Sequence, residues 1–415
     1  MIFKKGEVVI TGASTYGVKN HGDDAMLKVF CDQTRRIIPN SKITLVTRHP
    51  SKVLDQEFNI KSIKNIDHNS KTESNNRFFY GFNRGDQDKH LQAIKSEMEK
   101  SDLVVIGGNA FMEVSKSEFL RGVTTYSALF AIWAKLLGKP YVLYGAAVYP
   151  IKSDYTKKIA KFICENAALV TLREKDSLTE LLKSGVKNYG NLKVFADPAW
   201  GLEPVLTKKR GQEILKKEGI KLKTKILIGI VFRHMYWLWN QKETGKYAKL
   251  IARLCDNLIL KLNCDILLFP NCTYDIDNPY EDDRVIGMLI TSKVKRQDKV
   301  HQIRGDLSLN NTLSIYPLLD FLISNRRHSL IFGAIHNVPI FALSTGHPWH
   351  FKPWIKELNL ENQLASLTDD TISEIETRII ESFNRSDKIK KTISKTVPRL
   401  REKALRAIDE ISKII

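Results

Sequence analysis

Short apolar runs recur along the chain, and most are followed at once by glycine, asparagine or a charged residue. In the first half they are Val8–Thr11, Ile43–Thr47, Leu103–Ile106, Tyr141–Tyr144, Leu169–Leu172 and Val194–Ala196. In the second half they are Ile226–Phe232, Ile266–Phe269, Val300–Ile303, Phe321–Ser324 and Val338–Leu343. Runs this short and this continuously apolar read as strands buried on both faces. Between them lie longer stretches with apolar residues at helical spacing, among them Asp23–Ile38, Val123–Leu137, Ser153–Ala167 and Lys246–Leu262. Alternation of strand and helix predicts parallel sheets covered by helices, the doubly wound α/β arrangement.

The alternation is interrupted once, by a basic stretch of low apolar content at Glu203–Lys225, and then restarts. A chain of 415 residues is also too long for one ordinary core. The prediction is therefore two Rossmann-like, doubly wound α/β domains, residues 1–203 and 204–385, facing a central cleft. A basic helix, amphipathic after Pro398, closes the chain over 386–415. Residues 67–90 are polar and irregular and read as a loop.

Open parallel sheets bind ligands outside the carboxyl ends of their strands. Charged groups recur at that address: Asp23, Arg173, Arg233, Glu281-Asp282-Asp283, Arg326 and His328. The densest case is Phe321-Leu322-Ile323-Ser324 followed by Asn325-Arg326-Arg327-His328 and an apolar helical run to Ile335. Ser324 or Asn325 is the expected helix cap. The helix N-terminus favours an anion, and the histidine can move a proton near neutral pH. Arginine's planar fork suits phosphate and carboxylate, so Arg233, Arg326 and Arg327 are candidates to hold a substrate carrying both. The other reading, a capped helix start with solvated or ion-paired arginines, requires only local structure.

The loop after the first strand, GASTYGVKNHGDDAM, approaches two phosphate motifs and completes neither. Gly12 and Gly17 have the spacing of a P-loop, but Val18-Lys19 replaces the Lys-Ser/Thr pair. The glycine spacing of the dinucleotide fingerprint is absent as well. What remains is Asn20-His21-Gly22-Asp23-Asp24, read either as a helix cap at Asp23 or as an acid receiving substrate hydroxyls. His347 and His350, and Asp275 with Asp277, do not form a recognisable ligand set, and no metal is expected.

Composition narrows the partners. Lys and Arg number 65 against 46 Asp and Glu, a net charge of +19, with 43% apolar residues. The denser basic patches are Lys208–Lys225 and Arg385–Arg406. Without zinc-finger spacing or an RNA-recognition aromatic motif, no nucleic-acid partner is expected. Anionic substrates and peripheral contact with an anionic membrane both remain as explanations of the charge. No run reaches membrane-spanning length, and the N-terminus runs into a strand instead of a signal peptide. The cysteines, 5 in number and without CxxC spacing, fit a reducing compartment. The expected location is cytoplasmic, free or peripheral at the inner membrane face.

Taken together and in order, several motifs resemble those of the polysaccharide pyruvyl transferase family. They are Asn20-x-Gly-Asp23-x-Ala-Met26, Gly107-Gly108, Gly145-Ala-Ala-Val-Tyr-Pro150, Arg173-Glu-x-x-Ser177, Asp197-Pro-Ala199, Glu281-Asp-Asp283 and Arg326-x-His328. The resemblance implies a fold like that of GT-B glycosyltransferases. It also implies phosphoenolpyruvate as co-substrate with no other cofactor, a glycan or lipid-linked sugar as acceptor, and a cyclic pyruvate ketal as product. By motif, Arg326 and His328 match the family's Arg-x-His. Arg233 matches the arginine ending the first strand of the second domain, and Asp23 the acid of the Gly-Asp motif. His328 and Asp23 are then the catalytic candidates, and Arg326, Arg233 and Arg327 hold the donor.

Asn109 stands where the family often has a third glycine, and Tyr149 where a glycine is common before Pro150. Both, with Asn20, Gly108 and Trp237 of the aromatic run Met235–Trp239, are the acceptor-side candidates. The rival readings are a sugar-nucleotide glycosyltransferase on the same two-domain fold and a non-catalytic glycan-binding protein. Binding of phosphoenolpyruvate, of nucleotide sugars or of neither separates the three.

Overall fold

The computed structural model describes residues 6–12, 16–66, 89–108, 111, 122–234, 241–273, 282–345 and 351–415. The chain divides into two compact units, each built on its own parallel sheet. The first comprises 1–18, 23–201 and 401–415; the second comprises 19–22 and 202–400.

The first unit carries β1 (Glu7–Thr11), β2 (Lys42–Thr47), β3 (Lys61–Lys64), β4 (Leu103–Gly107), β5 (Tyr141–Ala146), β6 (Leu169–Leu172) and β7 (Leu192–Val194). They lie in the order β3-β2-β1-β4-β5-β6-β7, and every pairing is parallel. Helix α1 (His21–Ile37) and α2 (Lys52–Phe58) follow the chain from β1 out to β3. The helices α3 (His90–Lys100), α4 (Gly122–Leu136), α5 (Asp154–Asn166) and α6 (Lys175–Lys183) carry it from β3 across to β7. Right-handed crossovers put these two groups on opposite faces of the sheet. One apolar cluster accordingly joins Ile94 and Met98 of α3, Phe130 and Ala134 of α4, Ile163 of α5 and Leu181 of α6 to the strands.

The second unit repeats the plan. Helix α7 (Lys209–Lys217) precedes β8 (Ile226–Val231). Then come α8 (Gln241–Leu262), β9 (Cys264–Leu268), α9 (Asp283–Thr291), β10 (Val300–Gln302) and α10 (Leu309–Leu313). The chain continues with β11 (Phe321–Ser324), α11 (Arg327–Ile335), β12 (Ile340–Ser344), α12 (Lys352–Glu357), β13 (Leu364–Ser366), α13 (Ile372–Asn384) and α14 (Ser386–Ser412). The strand order is β10-β9-β8-β11-β12-β13, again all parallel. In both sheets the order reverses beside the first strand, between β1 and β4 and between β8 and β11. Such a switch point opens the crevice in which these sheets bind ligands.

Two strands escaped the pattern, and the domain bounds shift at two points. β3 and β13 carry no long apolar run, Lys61–Lys64 being an edge strand with no buried residue, so the hydrophobic pattern missed both. The division near residue 203 falls between 201 and 202, and the basic stretch after it forms α7 rather than a bare linker. The last helix begins at Ser386 and runs through Pro398. Its 386–400 portion belongs to the second unit and the remainder to the first. Proline removes one helical hydrogen bond, but Ile389, Ile393, Leu400, Ala404 and Ile408 keep one stripe buried on both sides of it. No helix among the described residues is long and apolar enough to cross a membrane.

Candidate active site

At the switch point of the second sheet, β8 is followed by Phe232-Arg233 and β11 by Asn325-Arg326. Asn325 joins them: the Arg233 N–H donates to Asn325 Oδ1 at 2.6 Å, and Asn325 Nδ2 donates to the Arg233 carbonyl at 3.0 Å. Ser324 Oγ donates to the Val231 carbonyl at 2.8 Å and accepts from the Arg326 N–H at 2.9 Å. These small polar side chains hold the two strand ends in register and fix the backbone from which both arginines leave. The N-cap position of α11 falls to Arg326, not to Ser324 or Asn325, and its side chain makes no cap bond. Arg327 and His328 form the helix's first turn, where unsatisfied N–H groups and the dipole favour an anion.

Arg326 is buried, and its guanidinium is paired with Asp283, the first residue of α9. The other oxygen of Asp283 accepts from the N–H groups of Asn271 and Cys272, both at 3.0 Å. Burial raises the pKa of this carboxyl, against the opposing pull of Arg326, the backbone donors and Arg233. The pair anchors one nitrogen of the guanidinium, and Arg233 acts on the same carboxyl. Within Glu281-Asp282-Asp283, Glu281 lies outside the described residues. Asp282 caps α9 and holds Arg284 through several bonds of 2.6–3.0 Å.

The segment 19–22 adds a wall to the same site. Thr273 N–H donates to the Lys19 carbonyl and His21 N–H to the Asn271 carbonyl, each at 3.1 Å, around a bridge between Asn20 and Cys272. Gly22 then lies against the imidazole of His328: a Cβ there would fall 2.1 Å from His328 Nδ1. A clash that short requires glycine. His21 is buried, with Nε2 at 2.9 Å from the Leu307 carbonyl. That carbonyl only accepts, so Nε2 carries the proton. Burial lowers the His21 pKa to about 4, which keeps the ring neutral. Asn20, assigned from sequence to the acceptor side, belongs to this second unit. A small cavity beyond Asp283, lined by Phe232, Phe269, Asp283, Arg284 and Gln302, balances one acid against one base and is not suited to an anion.

The first unit holds a separate cluster at the ends of its own strands. Arg173, directly after β6, is buried against Asp197 at 3.4 Å. Burial opposes its charge, but Asp197, with Tyr149, Glu174 and Asp23, raises the pKa further. The ring of Tyr16 is buried between Gly12 and Gly107, where a Cβ on Gly107 would meet the hydroxyl at 2.3 Å. Its pKa is raised by burial and by Asp23 and Asp197. Asp23 and Asp24 are both buried in the first turn of α1. Asp24 accepts from the Gly17 N–H at 2.8 Å, and its pKa is pushed well up by burial. Ser177 accepts from Val148 N–H at 3.0 Å, so the Arg-Glu-x-x-Ser motif braces the loop after β5. Gly108 is buried with φ of 80°, and half-buried Tyr149 donates its N–H to the Phe111 carbonyl at 3.2 Å. Asn109, Trp237, His347, His350, Asp275 and Asp277 lie outside the described residues.

The sequence pattern of the polysaccharide pyruvyl transferase family matches residues 20–347. The chain belongs to that family. A curated relative is the amylovoran biosynthesis protein AmsJ of Erwinia amylovora, 23% identical over 311 residues, which span 71% of this chain and 68% of AmsJ. Family and relative support a role in polysaccharide modification. Among solved structures, a glycosyltransferase from Rickettsia africae is 16% identical with a TM-score of 0.61, covering 99% of this chain and 98% of that one. Anabaena Alr3699/HepE in complex with UDP is 11% identical, with a TM-score of 0.61 and 98% coverage of both chains. The UDP-GlcNAc 2-epimerase of Neisseria meningitidis is 13% identical, with a TM-score of 0.61, covering 98% of this chain and 99% of that one. At these identities the likeness shows the fold, a GT-B-like pair of parallel-sheet domains, and nothing of the chemistry.

In this member of the family the second unit carries Arg233, Arg326, Arg327 and His328 after the ends of β8 and β11, and Asn20 in the segment 19–22. Sequence reasoning did not find Asn325, Gly22 or the Asp283–Arg326 pair in these roles. Asp283 sat in a quoted acidic motif, and Gly22 in a quoted glycine-acid motif. Nothing in the order of residues tied either one to Arg326-x-His328.

Proposed function

We propose that the protein transfers the pyruvyl group of phosphoenolpyruvate to two hydroxyls of a sugar in a cell-surface polysaccharide or its precursor. The observation that carries this reading is the pair of arginines on either side of the β8/β11 switch point, beside a histidine in the first turn of α11. A donor with both a phosphate and a carboxylate matches two guanidinium forks and a helix N-terminus. The donor's negative charge also favours a protonated imidazole. His328 gives that proton to the methylene carbon, making the methyl group and leaving the central carbon electrophilic. One sugar hydroxyl attacks it, and the C–O bond to phosphate breaks. A second hydroxyl on the same sugar closes the cyclic ketal. Of the two hydroxyl protons released, one restores His328 and one leaves with phosphate. No cofactor beyond the co-substrate enters this balance.

Calorimetry with phosphoenolpyruvate tests the reading, run beside a panel of nucleotide sugars. Saturable binding to the wild type, weakened by about 2–4 kcal/mol in Arg326→Ala, supports it. Binding of a nucleotide sugar with no response to phosphoenolpyruvate overturns it in favour of glycosyl transfer. His328→Ala should retain donor binding and lose phosphate release by about 10²- to 10⁴-fold, the usual weight of a general acid. Normal turnover in that variant removes the acid role.

A further inference from the structure

An amphipathic helix on a soluble domain turns its polar side outward, and α4 does not. Its buried side is Tyr126, Phe130, Ala131 and Ala134. Its outer side presents Leu129 (41% exposed), Ile132 (39%) and Leu136 (79%), with half-buried Trp133 between them. Lys135 is the one charged residue in the helix. The neighbouring α5 packs against α4 and adds Phe162, 37% exposed, with exposed Lys158 and Lys161 beside it. The acids of α5 are engaged elsewhere: Asp154 with Lys157, and Glu165 with the Lys187 N–H. Lys135, Lys158 and Lys161 have no acidic partner among the described residues. The result is an apolar patch rimmed by cations, on the helical layer that α3–α6 form over the first sheet.

We propose that this α4–α5 face docks the protein on an anionic lipid surface. Leu129, Ile132, Trp133, Leu136 and Phe162 would enter the headgroup–acyl boundary, with the three lysines at the phosphates. Apolar insertion and electrostatic attraction to anionic lipid are the two terms that together give stable peripheral binding, and long lysine stems let the ammonium groups reach the headgroups. The net charge alone would predict contact through any basic surface, including Lys208–Lys225. The apolar component singles out this face. The inference does not depend on the identity of the donor.

The test is co-sedimentation of the full chain with phosphatidylcholine vesicles, with and without phosphatidylglycerol. Leu136→Gln leaves the net charge unchanged and alters a side chain that is already exposed. It should weaken binding to anionic vesicles about tenfold, as should Lys158→Gln with Lys161→Gln, while Lys208→Gln with Lys209→Gln should have little effect. Brominated lipid should quench tryptophan emission in the wild type and fail to do so in Trp133→Phe. Equal losses from the two lysine pairs, with none from Leu136→Gln, would reduce the contact to unspecific charge attraction and overturn the proposal. So would absence of vesicle binding, or a concentration-dependent dimer abolished by Leu136→Gln, which would assign the face to a second copy of the chain.

Discussion

Each unit buries an arginine just beyond the end of a parallel strand and pairs it with an aspartate, yet the two pairs differ in their addresses. Arg173 follows β6, away from the switch point of its sheet, and its partner Asp197 lies after β7. Arg326 follows β11, at the switch point, and its partner opens helix α9. Around Arg173 the described charges are mostly acids, which hold it charged. Around Arg326 they include Arg233, and α11 begins at the next residue. A buried ion pair is therefore not by itself a sign of function. Under the proposed function, the position of the strand in the sheet order decides which pair meets the donor.

The comparison predicts a split. Removing one partner of a buried pair leaves the other charge uncompensated, at a cost of about 3–5 kcal/mol. Arg173→Ala should lose that much stability in chemical denaturation and still bind phosphoenolpyruvate within about twofold of wild type, since its ion pair is with Asp197 and not with a donor-holding residue. Arg326→Ala should lose stability and donor affinity together. A fall in donor affinity in Arg173→Ala as large as that in Arg326→Ala would erase the distinction.

The next effect in size concerns His21. Its pKa in the folded chain, about 4, is below the unfolded value of about 6.5. Between these values the unfolded chain binds a proton that the folded chain refuses, so stability rises with pH across this window. The loss on acidification from about pH 6.5 to 4 amounts to about 3 kcal/mol at 1.36 kcal/mol per unit. Urea midpoints of the wild type should fall more steeply over that window than those of His21→Gln. Parallel profiles would show that His21 is protonated in the folded state.

Gly22→Ala sharpens the comparison from the other side. A methyl group 2.1 Å from His328 Nδ1 forces the ring or the segment to move. Phosphate release should therefore fall by at least about tenfold, since misplacement near 1 Å costs on the order of 100-fold. Donor binding through the arginines should change little. Wild-type turnover in this variant would mean that the ring position is not critical. The smallest effect belongs to the surface. Lys193 and Glu410 pair at 2.7 Å, and two lysines draw the Glu410 pKa to about 2. The pair is solvent-screened, so Lys193→Ala should cost under about 1 kcal/mol and less at high salt.

Much of the fold was legible because the central strands are buried on both faces and must be apolar throughout. Leu103–Gly107 and Phe321–Ser324 are fully buried, and both were visible as runs. β3, half in solvent at the sheet edge, faces no such requirement and carries no such run. At the other end of the chain the burial stripe of α14 carries the helix through Pro398 and outweighs the hydrogen bond lost there.

For the candidate site, the sequence by itself determined the residue types and their strand-end address: two arginines, a histidine and a helix start after apolar runs. Those follow from local rules, since a strand must end and a helix must begin where the pattern changes. Only the tertiary structure decided which of these residues meet. The strand order brings the end of β8 beside the end of β11, 92 positions apart as Arg233 and Asn325. It sets Asp283 under Arg326 and turns Gly22 toward His328. Such contacts depend on sheet order and chain path, which a linear pattern of apolar and polar residues does not encode, because many pairings of the same strands would bury the same surface.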